Sequence, residues 1–218
     1  MNENVSIILH TCDSYEFCWD GFLHYFKKNF QIDNIKKYFC NEEKKINLDN
    51  NWSQLLTGKE EWSNRLIYIL NNIEDEYVIY IQEDMWIKDE MDYNFLNSCY
   101  QYIKEKNLDV LYICPAEVGN TYSDLFKSDT LLGYDINGFN ENSNYILNHQ
   151  FGIWRRTSFL ENLIEGESPW QNEKFGTQRL IKRGVSGKYK VLNRQWYTSV
   201  SRKGKLTTDG ILLQNMIS

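Results

Sequence analysis

With 218 residues, 42% of them apolar and 15% aromatic, the chain is large enough for one full hydrophobic core and is not of the disordered class. A net charge of −6 argues against a nucleic-acid partner, since a binder of phosphate backbones needs a basic surface. Five cysteines, odd in number and without a CxxC pair, fit a reducing compartment and not a disulfide scaffold or zinc site.

The N-terminal MNENVSIILHT has no basic segment, and no stretch approaches 18 apolar residues. Neither a signal peptide nor a membrane span is expected, which points to the cytoplasm. VSIILHT (5–11) reads as a buried parallel strand, and the spacing of Trp19, Phe22, Leu23, Phe26 and Phe30 predicts a helix over 14–30. IKKYFC (35–40) is a second strand, residues 59–73 a second helix and EYVIYIQ (76–82) the clearest strand. Met91, Phe95, Cys99 and Ile103 mark a third helix, followed by the strand VLYICPA at 110–116. Cys18, Cys40 and Cys99 fall in these apolar patterns and read as core side chains.

Residues 118–144 turn rich in Gly, Asn, Ser and Asp and read as loop with room for a short hairpin. YILNHQFGIWRR (145–156) reads as a strand that hands over to a helix at Thr157-Ser158, with Ser158 and Glu161 as a capping box. Ser168 and Pro169 open a further helix as N-cap and first residue, and the C-terminal tail holds one or two strands with a basic end. The alternation implies a single α/β domain with a doubly wound, mostly parallel central sheet flanked by helices.

Three strand ends carry polar clusters: His10-Thr11-Cys12-Asp13, Asn41-Glu42-Glu43 and Gln82-Glu83-Asp84. In an open α/β sheet ligands bind beyond such ends. The first two clusters suit a base and ribose. A carboxylate pair facing phosphates needs a divalent cation between, Mg²⁺ or Mn²⁺; the other reading is a solvated acidic end paired to Lys88 or Arg65.

These features resemble a nucleotide-sugar glycosyltransferase of GT-A (Rossmann-like) fold, bacterial or from a large virus. TCDSY after the first strand, the W-x-x-R-L helix, QED followed by MWI, HQFGIWRR, SPWQNE and a late RKGK carry the resemblance from about Val5 to Lys205. It implies a nucleotide-sugar donor, with UDP as carrier, and a glycan or glycoconjugate acceptor. It also divides the chain into a nucleotide-sugar-binding half at about 1–117 and an acceptor-binding half at about 118–218. Asp84 takes the place of the metal ligand, Glu83 is a second contact, and Gln82 stands where the family has an aspartate. Glu173 takes the place of the general base of an inverting transfer, with Asp135 and Glu167 as the next acids to consider. His10, Thr11, Asp13, Tyr15, Asn41 and Glu42 fall on the nucleotide side. Arg65 and the late basic residues Arg202, Lys203 and Lys205 are candidates for the diphosphate. Trp170 is the candidate acceptor platform, with Trp154 either beside it or in the core. His149 is open between metal shell, acceptor site and core. A nucleotidyltransferase is the enzymatic alternative, weakened because HTCDSYEF lacks the Gly-rich basic loop that cradles a triphosphate. A non-catalytic sugar- or nucleotide-binding module is the other.

Overall fold

The structure is a computed structural model that describes residues 4–32, 34–115, 125–141 and 143–217. Val5–His10 (β1) is buried along its whole length, as a strand covered on both faces must be. The predicted first helix is divided: Asp13–Cys18 forms a 3₁₀ segment broken at Tyr15, and Trp19–Asn29 (α1) continues as regular helix. Phe30–Gln31 (β2), Lys36–Asn41 (β3) and Trp52–Leu56 (β4) follow, the last outside the sequence expectation. Next come Trp62–Asn71 (α2), Tyr77–Gln82 (β5), Met85–Ile87 (β6), Met91–Asp92 (β7), Tyr93–Glu105 (α3) and Val110–Cys114 (β8). Asp92 caps α3 by accepting from the Phe95 N–H at 2.7 Å.

Of the predicted loop at 118–144, residues 118–124 and 142 lie outside the described residues. The remainder contains an antiparallel hairpin, Leu125–Leu131 (β9) with Tyr134–Phe139 (β10). The strand expected over 145–156 is confined to Gly152–Arg155 (β11). Arg156–Glu161 (α4) follows it directly, capped by Arg155 without a side-chain bond, so the Ser158–Glu161 capping box is not formed. Ser158 lies inside the helix and donates to Asp109 Oδ1 at 2.9 Å instead. Pro169–Arg183 (α5) opens as the sequence predicts, with Ser168 and Gln171 completing a capping box. Tyr189–Asn193 (β12), Tyr197–Ser199 (β13), Ser201–Arg202 (β14), Lys205–Leu206 (β15) and an unexpected helix, Thr208–Asn215 (α6), complete the chain.

Nine strands form one sheet in the order β4-β3-β1-β5-β11-β8-β12-β10-β9, in which only β11 and β10 run against the others. The sheet is therefore mostly parallel, and it spans both halves of the chain. From β1 the chain winds outward through β3 to β4, then returns to place β5 on the other side of β1. That reversal opens a crevice beyond the carboxyl ends of β1 and β5. The chain leaves the sheet there at Glu83-Asp84, and β6 pairs with β13 in a separate two-stranded ribbon.

Candidate active site

A cleft of about 480 Å³ lies at this crevice. Its walls come from the end of β1 (His10, Thr11), α2 (Trp62, Arg65), the end of β5 (Gln82, Glu83, Asp84), the approach to β11 (His149, Gln150), α5 (Trp170, Glu173) and the β14–β15 turn (Lys203). Cys12 and Tyr15 also line it.

The acidic pair splits into two different side chains. Glu83 turns inward and is 8% exposed, while Asp84 is half-buried at the surface of the cleft. The Trp86 indole donates to the Glu83 carbonyl at 3.1 Å, and the Val200 N–H donates to the Asp84 carbonyl at 2.8 Å, which fixes the turn from both sides. Burial raises both carboxyls above their ordinary range; the charge of Asp84 raises Glu83 further, and a bond from Ser199 opposes the rise at Asp84. Among the described residues no ion pair reaches either carboxylate, so a cation at Asp84 would offset unfavourable negative charge. The fit is of a particular kind. Among the described residues no group of three His, Cys, Asp or Glu converges on one point. A hard cation that retains water and takes its other oxygens from a bound diphosphate suits such a seat.

Positive charge reaches the same cleft at two points. Arg65 is 6% exposed and donates through Nη1 to the Thr11 carbonyl at 2.6 Å. Lys203 sits at the tip of the β14–β15 hairpin with a φ of +53°, followed by Gly204 at +72°. Two positive φ values in a two-residue loop make a type I′ turn, and lysine there carries a conformational cost that glycine does not. Lys205 is exposed in β15 and is not among the lining side chains; Lys203 is the basic residue of the tail that reaches the cleft.

Asp13, Asn41 and Glu42 come together beside the cleft and occupy one another. Asp13 accepts from Asn41 Nδ2 (2.8 Å) and from the Glu43 and Lys44 N–H groups (3.0 Å each), while its own N–H donates to Glu42 Oε2 (2.9 Å). Partial burial raises the Asp13 carboxyl, but these bonds more than offset it and hold the group below its usual range. The three residues tie the loop after β1 to the loop after β3.

Glu173 lies in the second turn of α5, so the helix dipole does not explain it. Its Oε1 accepts the His149 N–H at 3.0 Å. Burial raises its carboxyl to about 7, against that hydrogen bond. Asp135 pairs with Lys127 at 2.7 Å and Glu167 with Arg179 at 2.8 Å, and neither lines the cleft. Trp170 is 76% exposed at the mouth, whereas Trp154 is core, stacked on Phe159 at 4.1 Å. His149 is 2% exposed, with its ring 4.3 Å from that of Trp62. Trp62 and Gln150 also line the cleft; the sequence held them only as parts of the W-x-x-R-L and HQFGIWRR motifs and gave neither a role in the site.

No family description matches the chain, and no curated protein matches it in sequence. Solved structures do resemble it. S. aureus TarS 1-349 in complex with UDP-GlcNAc superposes with a TM-score of 0.58 at 17% identity, covering 93% of this chain and 60% of that one. The longer S. aureus TarS gives 0.55 at 17% identity, with this chain spanning 39% of its length. CMP:2-keto-3-deoxy-manno-octonic acid synthetase complexed with CTP gives 0.56 at 12% identity, covering 99% of both chains. The strand order, the crevice at its reversal and these likenesses together establish that the chain has a GT-A fold.

Proposed function

We propose that the protein is a metal-assisted, inverting glycosyltransferase that moves a sugar from a nucleotide diphosphate-sugar to a hydroxyl of a glycan or glycoconjugate. UDP is the carrier of choice, because TarS 1-349 binds UDP-GlcNAc on the same fold. One observation carries the reading: Asp84 and Glu173 face a single cleft together with Arg65 and Lys203, and Glu173 titrates at about 7. A base needs a value near the working pH to take a proton and still be ionised in part.

The nucleotide lies over the ends of β1 and β5, with its diphosphate toward Arg65 and Lys203. Asp84 would hold Mn²⁺ or Mg²⁺, and the bound cation would supply positive charge to offset the negative charge gathering on the departing diphosphate. Trp170 offers its face to the acceptor sugar. Glu173 removes the proton of the acceptor hydroxyl as that oxygen bonds to the anomeric carbon. The bond from that carbon to the diphosphate breaks, UDP leaves, and the configuration inverts. Transfer assays with UDP-sugars test this: Asp84→Asn should lose the Mn²⁺-dependent donor affinity. Glu173→Gln should keep donor affinity and transfer about 10²–10⁴-fold more slowly. A product that retains the donor's anomeric configuration by NMR would remove Glu173 from the role.

A nucleotidyltransferase is the second reading, supported by the full-length likeness to the CTP-bound synthetase. The loop after β1, Thr11 to Cys18, contains no glycine and no basic side chain to hold a triphosphate.

A further inference from the structure

A second cleft, of about 440 Å³, opens at the same end of the sheet, beyond β5, β8 and β12 and against the β6–β13 ribbon. It meets the first at Gln82, Asp84 and Gln150, which line both. Its own polar side chains are Gln195, Tyr197 and Ser199. Gln195 and Ser199 are exposed, and Gln82 and Gln150 are half-buried, so this wall is open to a ligand.

The polar groups are held in place. The Tyr197 hydroxyl donates to the Gln150 side-chain carbonyl, and the Gln195 amide donates to the Tyr197 backbone carbonyl. Ser199, on the same face of β13 as Tyr197, donates to Asp84 Oδ2 at 3.4 Å. Each of the two glutamines thus has one end of its amide fixed. Among the described residues no bond takes the other end, which leaves the Gln150 NH₂ to donate and the Gln195 carbonyl to accept. Gln82 donates to the Tyr80 hydroxyl at 3.4 Å and likewise keeps its carbonyl as an acceptor. Sugar hydroxyls, which both donate and accept, match such a wall.

Charge separates the two clefts. Arg65 and Lys203 face the first, whereas among the described residues that line the second there is no lysine, arginine or histidine, and Asp84 is its one acid. A phosphate or carboxylate seated there would lose water with no cation to meet it and a carboxylate beside it. Gln82 fits this division. An aspartate at that position would add a second negative charge to the shared wall, where the amide adds hydrogen-bonding groups alone. We propose that the second cleft is an acceptor subsite for an uncharged, hydroxyl-rich sugar unit, an inference that rests on the glycosyltransferase reading. Gln150 lines the first cleft together with Trp170 and Glu173, so the acceptor runs from Trp170 past the base and Gln150 into the second cleft. The substrate class is then a glycan whose unit beside the reacting sugar carries no charge, with Gln150 and Gln195 as the residues that select it.

Saturation-transfer NMR titrations test the subsite, with UDP and Mn²⁺ present to fill the first cleft. The probes are the methyl glycosides of glucose, galactose and mannose, with glucuronate and galacturonate as charged counterparts. Wild type should bind at least one neutral glycoside, and more tightly than either uronate. Gln195 is exposed, so the fold tolerates its replacement. Gln195→Ala should weaken the bound glycoside about fivefold, one hydrogen bond's worth, and leave UDP affinity unchanged. Gln195→Lys should turn the preference toward the uronates, a shift that a purely structural residue would not produce. The subsite is overturned if wild type binds no neutral glycoside or binds a uronate as tightly. It is also overturned if Gln195→Ala leaves glycoside binding unchanged or Gln195→Lys leaves the charge preference unmoved. In each case UDP binding keeps the glycosyltransferase reading standing. If UDP itself does not bind, the donor reading falls and takes the subsite with it.

Discussion

A carboxylate in the second turn of α5 gains little from the helix dipole, so the value of about 7 at Glu173 is set by burial against the opposing His149 N–H. Two pH effects follow. As a base Glu173 works only when ionised, so kcat/KM for transfer should be low below pH 7 and level off above it. Stability runs the other way. The folded carboxyl holds its proton more tightly than the unfolded one, whose value is 4.5. The folded state is therefore favoured below pH 4.5 and loses ground as pH rises through 7. Glu173→Gln has nothing to ionise at this position. Its melting temperature relative to wild type should rise between pH 4.5 and pH 8, and a gap that stays constant would show Glu173 to be solvated. The sequence pointed to Glu173 as the last residue of SPWQNE, but nothing in that pattern revealed its burial. Glu83 shows the reverse: adjacent to Asp84 in sequence, it reads as a second contact, and only the turn after β5 sends it inward.

Among the elements, β6 has an influence on the site out of proportion to its three residues. Trp86 is fully buried, stacks on Tyr25 of α1 at 5.5 Å and donates to the Glu83 carbonyl, so the helix, the ribbon and the acidic turn share one side chain. Gly21 makes this approach possible. A Cβ there would meet three atoms of the Trp86 ring at 2.0–2.6 Å, and a packed indole has no free end to move aside. Gly21→Ala should cost about 1–3 kcal/mol, roughly 2–12 °C in melting temperature for a chain of this length. It should also weaken Mn²⁺-dependent donor binding, because the indole that anchors the Glu83 carbonyl must shift. An unchanged melting curve would mean that α1 slides freely over Trp86. MWI was visible in the sequence as an apolar return after the acids, yet three residues are too few for periodicity to identify a strand. β4 escaped for a related reason: WSQLL is a half-covered edge strand. α6 places Ile211 and Leu212 in solvent, so it lacks the buried stripe by which α1 to α3 were recognised.

Across the whole molecule, the alternation of apolar strands and amphipathic helices was enough to predict the wound sheet, and strand ends were enough to locate the crevice. The reversed direction of β11 was not visible, since a buried strand has the same composition in either orientation. That reversal matters to function: it delivers His149 and Gln150 to the same end of the sheet as His10 and Asp84, joining the two halves in one cleft. A site assembled at this central crevice ties ligand binding to the stability of the whole sheet. A ligand at 100 times its Kd adds about 2.7 kcal/mol, or roughly 5–10 °C at this length. Thermal melts should therefore separate the two enzymatic readings. UDP should raise the melting temperature by about that amount with Mn²⁺ and much less with EDTA, and Asp84→Asn should abolish the Mn²⁺ increment. CTP should give no comparable rise, because the loop after β1 has no glycine or basic residue for a third phosphate. A rise with CTP that exceeds the rise with UDP, accompanied by pyrophosphate release when an acidic sugar is added, would favour nucleotidyl transfer.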